Sequence, residues 1–156
     1  VRSLLEYYIG EDKNYVILQD YVHGADKGDV RIMMLNGEPI GAMRRVPAAD
    51  ELRSNIHAGG SEVKHTLTKQ EKRLCKHIGP KLVRDGLYFV GLDVINGKLI
   101  EVNVLSPGGI TRINRLNRCK LQKQVIDFAE SVVITKEMML NRKSQFRQVI
   151  EDADAI

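Results

Sequence analysis

Three polar side chains interrupt a segment that otherwise has the composition of buried strand, between positions 90 and 107. They are Asp93, Glu101 and Asn103. Burying an unpaired carboxylate is costly, so these side chains need a cationic partner. Two carboxylates and an amide are poor ligands for zinc, but they suit a hard cation such as Mg²⁺ or Mn²⁺. The alternative is that they form the solvent-facing side of an edge hairpin.

The turn at Asn96-Gly97 decides whether these side chains can act together. A two-residue turn would pair Asp93 with Ile100 and put Glu101 on the opposite face of the hairpin, because side chains alternate along a strand. A three-residue loop, with Gly97 left-handed beside a β-bulge, would put Asp93, Glu101 and Asn103 on one face. We predict the longer turn, and a structure with Asp93 and Glu101 on opposite faces would exclude the metal site.

Hairpins and amphipathic helices are predicted to position these residues. Strands are predicted over residues 15–18, 30–35, 39–46, 87–95 and 98–105, with turns at Asn36-Gly37 and Asn96-Gly97. A capping box at Thr68–Glu71 begins one helix, and Leu121, Val125, Phe128 and Val132 mark another. The fold class is therefore α+β, an antiparallel sheet built from hairpins with covering helices on one face. A doubly wound fold would need strand–helix–strand units and a glycine-rich first turn, which the sequence lacks.

The domain organisation follows from the same patterns. Residues 1–135 are predicted to form one domain, and residues 136–156 a polar C-terminal helical extension or tail. Residues 47–64 have no clear period and contain Gly59-Gly60, which is typical of an active-site lid, although a plain surface loop is the alternative. The chain lacks an initiator Met, so we expect a piece of a longer polypeptide.

Composition narrows the class of partner. The 156 residues carry 24 basic and 20 acidic side chains, a net charge of +4 that suits an anionic partner. Only 5% of residues are aromatic, too few for a single-strand nucleic-acid platform, so a small anionic ligand is favoured over nucleic acid. No apolar run approaches the roughly 20 residues that span a membrane. Cys75 and Cys119 lack metal-type spacing, which favours reduced thiols in the cytoplasm.

Several motifs together resemble a known family. Gly91-Leu92-Asp93, Glu101-Val102-Asn103-Val104 and Ser106-Pro107 resemble the metal-binding hairpin of ATP-grasp enzymes, and more narrowly that of bacterial glutathione synthetases. The upstream motifs that agree in order and spacing are Gly28-Asp29-x-Arg31, Asn36-Gly37-Glu38-Pro39, Arg45-Val46-Pro47, Glu51-x-Arg53-x-Asn55, Ala58-Gly59-Gly60 and Ile78-Gly79-Pro80. The resemblance spans approximately positions 15–134 and implies the C-terminal part of an ATP-grasp fold.

The resemblance also implies a role for each matching residue. Adenine contacts are implied for Gln19, Tyr21 and Val22, and a ribose contact for Asp29. Phosphate and acyl contacts in catalysis are implied for Arg31, Arg45 and Arg53. Magnesium ligation is implied for Asp93, Glu101 and Asn103. Substrate contacts are implied for Asn55, Gly59, Gly60, Ser106 and Gly108.

The activity that the resemblance implies is an ATP-dependent carboxylate–amine ligase, which joins γ-glutamylcysteine to glycine through an acyl phosphate. Gly108-Gly109 stands where the family usually has a threonine, and Ala49-Asp50 stands where the family has a glycine pair. The identity of the amine substrate therefore stays open. A related ligase for another amino-acid or peptide pair is one alternative, and a noncatalytic nucleotide-binding module is the other. The implied partners are small molecules, and the resemblance is compatible with a homo-oligomer. We expect this segment alone to have little or no activity, because the expected phosphate-binding lysines and glycine-rich loop lie upstream.

Overall fold

The computed structural model describes residue 6, residue 9, residues 19–48 and residues 60–154. Glu6 and Ile9 are helical. The strand predicted over residues 15–18 and most of the predicted lid lie outside the described residues.

The described part is a five-stranded antiparallel sheet with three α-helices. After a short 3-10 helix at Ala25–Lys27, its elements are β1 (Asp29–Leu35), β2 (Glu38–Val46), β3 (Ser61–Lys64), α1 (Lys69–Arg84), β4 (Phe89–Ile95), β5 (Lys98–Asn103), α2 (Ile110–Asn117) and α3 (Leu121–Asp154). The strand order is β3-β2-β1-β4-β5, and every neighbouring pair is antiparallel. Both predicted hairpins and the α+β class are confirmed. The end of the predicted lid is corrected, because residues 61–64 pair with β2 as an edge strand.

Helices cover both faces of this sheet, so the expectation of helices on one face was wrong. Val30, Ile32 and Met34 of β1 pack in one buried cluster with residues of α1. Met33 belongs to a second cluster with Ile113 of α2 and Leu121 of α3. The reason lies in β1, which is buried at all seven positions, whereas a strand with one solvated face would alternate.

The predicted capping box at the start of α1 is confirmed. The Glu71 amide donates to Thr68 Oγ1 at 3.2 Å, and the Thr68 amide donates to Glu71 Oε2 at 2.7 Å. His65 Nε2 lies 2.9 Å from the same carboxylate oxygen. Burial raises the pKa of Glu71, but the hydrogen bonds from His65 and Thr68 outweigh it and hold this pKa below its usual range. Glu71 thus stays ionised at neutral pH and stabilises the N-terminal end of α1.

Helix α3 is continuous through the domain boundary predicted at residue 135. It follows α2, which was not predicted as a separate helix. None of the helices in the described part combines the length and the apolar character that crossing a bilayer requires.

Helix α1 approaches the β1–β2 turn closely at Gly79, and this contact supports a prediction about stability. A Cβ at Gly79 would lie 2.2 Å from the carbonyl oxygen of Gly37 in the β1–β2 turn. Alanine favours helix by about 1 kcal/mol over glycine, but we expect Gly79→Ala to lower the free energy of unfolding by roughly 1–3 kcal/mol because backbone must move. Urea titration measures this. The control is Gly108→Ala, whose Cβ would meet nothing within 4 Å; equal stability of the two variants would contradict the prediction.

Candidate active site

The β4–β5 hairpin corrects one prediction and confirms another. Ile95 pairs with Lys98, so the turn holds two residues, and Asn96 (φ 48°) and Gly97 (φ 73°) both have the positive φ of a type I′ turn. The predicted three-residue loop was therefore wrong. Asp93 nevertheless pairs directly with Glu101, because the extra residue is accommodated as a bulge between the pairs Asp93–Glu101 and Val94–Leu99. Asp93 and Glu101 share one face, as predicted.

Arg31 on β1 forms a two-pronged ion pair with Asp93 on β4. Arg31 Nε lies 2.5 Å from Asp93 Oδ1, and Arg31 Nη2 lies 2.9 Å from Asp93 Oδ2. The two residues pair in the β1–β4 register and are only 7% and 6% exposed. The third guanidinium nitrogen, Nη1, donates to the Gly108 carbonyl at 3.0 Å. Planar guanidinium and carboxylate groups match in this geometry, so Arg31 is held rigidly over the sheet.

Arg45 on β2 joins this pair to a second buried carboxylate. Arg45 Nε lies 3.0 and 3.1 Å from the two oxygens of Asp29, and Arg45 Nη2 contacts Asp29 Oδ2 closely. The same Nη2 lies 3.0 Å from Asp93 Oδ2. Burial lowers the pKa of Arg45, but its hydrogen bond to Asp29 and the charge of Asp93 outweigh burial and raise that pKa above its usual value. Both arginines therefore meet at Asp93.

Asn103 and Glu101 complete this face of the hairpin. Asn103 Nδ2 donates to Asp93 Oδ2 at 3.2 Å and approaches the Gly91 carbonyl at 3.4 Å. Glu101 is exposed, and its carboxylate has no partner among the described residues. Carboxylate and amide oxygens on one face are the donor types that a hard cation takes. The residues therefore fit Mg²⁺, although the cation would have to share Asp93 with two guanidinium groups.

The other predicted site residues are spread more widely. Gln19 and Tyr21 are exposed and Val22 is half-buried, in the segment before the 3-10 helix, where the Tyr21 ring meets His23 edge-on. Ser106 and Gly108 are exposed in the loop after β5, and Gly60 is half-buried beside β3. The predicted residues that lie outside the described part are Arg53, Asn55 and Gly59.

Two residues beside the cluster were not predicted. A Cβ at Gly91 would lie 3.2 Å from the Arg31 side chain, so glycine leaves the room that Arg31 needs to cross β4. A glycine inside an apolar strand was the available signal. Glu62 of β3 pairs with Arg45 in register, and its carboxylate binds Arg112 Nε at 2.8 Å. This contact could not be predicted, because Glu62 lay in the predicted lid.

Comparison with known proteins agrees with this arrangement. A family model described as the ATP-grasp domain of prokaryotic glutathione synthetase matches residues 1–118. A glutathione synthetase of Thermosynechococcus vestitus is 46% identical over 126 residues, which are 81% of this chain and 40% of that protein. Those of Gloeobacter violaceus and Bradyrhizobium diazoefficiens are 43% and 44% identical over 128 residues, 82% of this chain and 40% and 41% of theirs.

The sheet with its paired arginines and carboxylates is thus part of an ATP-grasp domain. The chain belongs to the prokaryotic glutathione synthetase family of these domains. It spans about two fifths of the length of the curated relatives that it matches.

Proposed function

We propose that this chain is the C-terminal part of an ATP-dependent ligase that joins γ-glutamylcysteine to glycine. The observation that carries the proposal is the convergence of Arg31 and Arg45 on Asp93, directly opposite Glu101, within a domain of this family. A ligase that activates a carboxylate by phosphorylation must stabilise charge on phosphoryl oxygens and on a tetrahedral carbon. Guanidinium groups and a hard cation do this without a protein nucleophile.

Arg31 and Arg45 are the groups that we propose to bind the phosphoryl and carboxylate oxygens of the reactants. Their planar forks suit both kinds of oxygen. In the structure Asp93 and Asp29 hold these forks in place on the sheet. We propose that Asp29 acts by positioning Arg45, since its carboxylate is 4% exposed and already takes three hydrogen bonds from that side chain.

Asp93, Glu101 and Asn103 are the residues that we propose to hold Mg²⁺, or Mn²⁺. Bound there, the cation would neutralise phosphoryl charge. The exposed Glu101 is free to turn toward a ligand, because it has no partner within the described part of the chain.

The remaining contacts are proposed from the family motifs. Nucleotide contacts are assigned to Gln19, Tyr21 and Val22; a closing lid is assigned to Arg53, Asn55, Gly59 and Gly60; acceptor contacts are assigned to Ser106 and Gly108. We also propose that the reaction takes place in the cytoplasm on small molecules rather than on nucleic acid. Cys75 and Cys119 are both free thiols, and burial raises the pKa of Cys75 to about 11, which suits a reducing compartment.

Phosphate release by the full-length polypeptide tests this proposal. With Mg-ATP and γ-glutamylcysteine, we expect ADP and phosphate to form in equal amounts only when glycine is also present. A panel of other amino acids tests the acceptor, because Gly108-Gly109 departs from the family at that end. Turnover with a different amine, and none with glycine, would refute glycine as the acceptor. No phosphate with any carboxylate and amine would refute the ligase and favour a nucleotide-binding module.

The 156-residue chain alone serves as the control for this assay. We expect it to release little or no phosphate under the same conditions, because it spans about two fifths of the relatives' length. Turnover by this chain at the rate of the full-length polypeptide would contradict that expectation.

A further inference from the structure

The C-terminal part of α3 carries a large apolar surface. From Ala129 to Gln148 every residue is exposed. Among the described residues beyond Ser131, the apolar side chains that are at least half exposed are Val132, Val133, Ile134, Met138, Met139, Leu140, Phe146 and Ile150, with Phe146 at 70%. Apolar surface of this extent usually marks an interaction site, because water-exposed apolar area is unfavourable by about 25 cal/mol per Å².

The beginning of the same helix packs on its own domain. Leu121 is 2% exposed in the cluster with Met33 and Ile113, and the Phe128 ring lies 5.9 Å from that of Tyr88. Beyond this point the helix extends away from the sheet for about 35 Å at 1.5 Å per residue. The exposed apolar surface is therefore a continuation of a helix whose first turns are anchored.

The spacing of the apolar residues in the first turns of α3 continues into its exposed part. Leu121, Val125 and Phe128 follow an alternating four- and three-residue spacing, which Val132, Met139 and Phe146 continue. That spacing gives the stripe of a two-stranded coiled coil. Thr135 and Arg142 occupy the intervening stripe positions. Met138 and Ile150 flank the stripe, whereas Val133 and Leu140 lie on another side of the helix.

This surface lies beyond the part of the chain that the family model matches. That model ends at residue 118, before the exposed apolar side chains begin. The matched domain therefore gives no account of what covers them.

We propose that two copies of this chain pair through antiparallel C-terminal halves of α3. Charge along the helix favours this arrangement. The stretch from Lys136 to Arg147 carries four basic residues and one acidic residue, whereas Glu151, Asp152 and Asp154 follow at its end. Parallel pairing would place like charges together, whereas antiparallel pairing places the basic stretch of each copy beside the acidic end of the other.

Antiparallel pairing also places favourable partners beside the acidic helix ends and beside Arg142, which interrupts the apolar stripe. Carboxylates at a helix C-terminus are unfavourable for the helix dipole, and neighbouring basic side chains offset this. An overlap centred near Ser144 places Lys136 beside Asp152 of the other copy. It also places Arg142, which breaks the apolar stripe, beside the other copy's Phe146, where a cation–π contact is available.

The exposed area is sufficient for a stable pair. The five stripe and flanking side chains offer roughly 100 Å² each, and the aliphatic stems of neighbouring lysines bring this to about 600–800 Å² per copy, near what each partner of a standard interface buries. These residues are Val132, Met138, Met139, Phe146 and Ile150. The pairing does not depend on the proposed ligase activity, because none of these residues touches the arginine–carboxylate cluster.

Sedimentation equilibrium of the 156-residue chain tests the pairing. Chain concentrations between about 1 and 100 µM cover a dimer of about micromolar affinity. We expect a dimer, and we expect Met139→Glu to raise the dimer Kd at least about tenfold, since it would bury an unpaired carboxylate. Leu140→Glu is the matched control, because Leu140 is similarly exposed but lies off the stripe. A monomer at every concentration would overturn the proposal, as would a dimer unaffected by Met139→Glu.

Disulfide trapping tests the orientation in a chain carrying Cys119→Ser. Copies carrying Arg142→Cys should cross-link with copies carrying Phe146→Cys, because the overlap places these two stripe positions opposite each other. Thr135→Cys should not cross-link with itself, because an antiparallel pair holds the two copies of position 135 far apart. Cross-linking of Thr135→Cys at the rate of the mixture of Arg142→Cys and Phe146→Cys would show a parallel pair and overturn the antiparallel arrangement.

Discussion

Glu101→Gln in the full-length polypeptide is expected to lower ATP turnover at least about 100-fold while leaving the thermal midpoint unchanged. Losing even an outer partner of a metal ligand typically costs about 10–100-fold in metal affinity or activity, so losing a direct ligand charge should cost more. Stability should not change, because Glu101 is exposed and makes no contact in the described part of the chain. Surface substitutions of this kind usually stay within about 0.5 kcal/mol.

The measurements are phosphate release, nucleotide affinity at several magnesium concentrations, and thermal unfolding. Glu130→Gln is the matched control, since Glu130 is an exposed carboxylate on α3, away from the proposed site. The metal role also predicts that additional magnesium restores part of the nucleotide affinity lost by Glu101→Gln. Unchanged nucleotide affinity in magnesium would instead favour the noncatalytic module.

Local chemistry explains which parts of the fold could be predicted from the sequence. Asn36-Gly37 and Asn96-Gly97 determine turns within a few residues, and the Thr68–Glu71 capping box determines a helix start in the same way. Those elements were found where they were predicted. The two-sided burial of β1 was missed, because a continuous apolar run does not show which elements will cover it.

The candidate site depends on contacts between residues far apart in the chain. The predicted shared face of Asp93 and Glu101 was right, but its cause was a bulge beyond the turn, for which the residues following Gly97 carry no local signal. The pairing of Arg31 with Asp93 spans 62 positions and follows from β1 lying beside β4. Sequence spacing identified the charged residues, but only the strand order shows that two arginines share Asp93.

The C-terminal helix shows a different limit of sequence reasoning. Residues 136–156 were predicted as a polar extension, because charged and amide side chains are frequent there. The structure places residues 136–154 in a continuous helix with exposed Met138, Met139 and Phe146. An average polarity does not report whether apolar residues have anything to pack against, and that information comes only from the position of the helix relative to the sheet.

Asp93→Ala is expected to destabilise the 156-residue chain by about 3–5 kcal/mol, the usual cost of removing one partner of a buried ion pair. Asp93 is 6% exposed and takes hydrogen bonds or ion-pair contacts from Arg31, Arg45 and Asn103. Its removal leaves the buried Arg31 without a carboxylate partner and the partly buried Arg45 with Asp29 alone. A loss of this size is a large fraction of the roughly 5–15 kcal/mol that typically separates a folded domain from its unfolded state.

Urea unfolding followed by circular dichroism measures this loss, and a matched pair of variants identifies its origin. Asp85→Ala removes a carboxylate from an exposed ion pair with Lys81 and should leave the urea midpoint close to that of the parent chain. Adding Arg31→Met to Asp93→Ala should recover part of the lost stability, because it removes one of the unpaired charges and keeps a similar volume. If the double variant were less stable than Asp93→Ala, the loss would come from packing, and the two arginines would not depend on Asp93 for their charge balance.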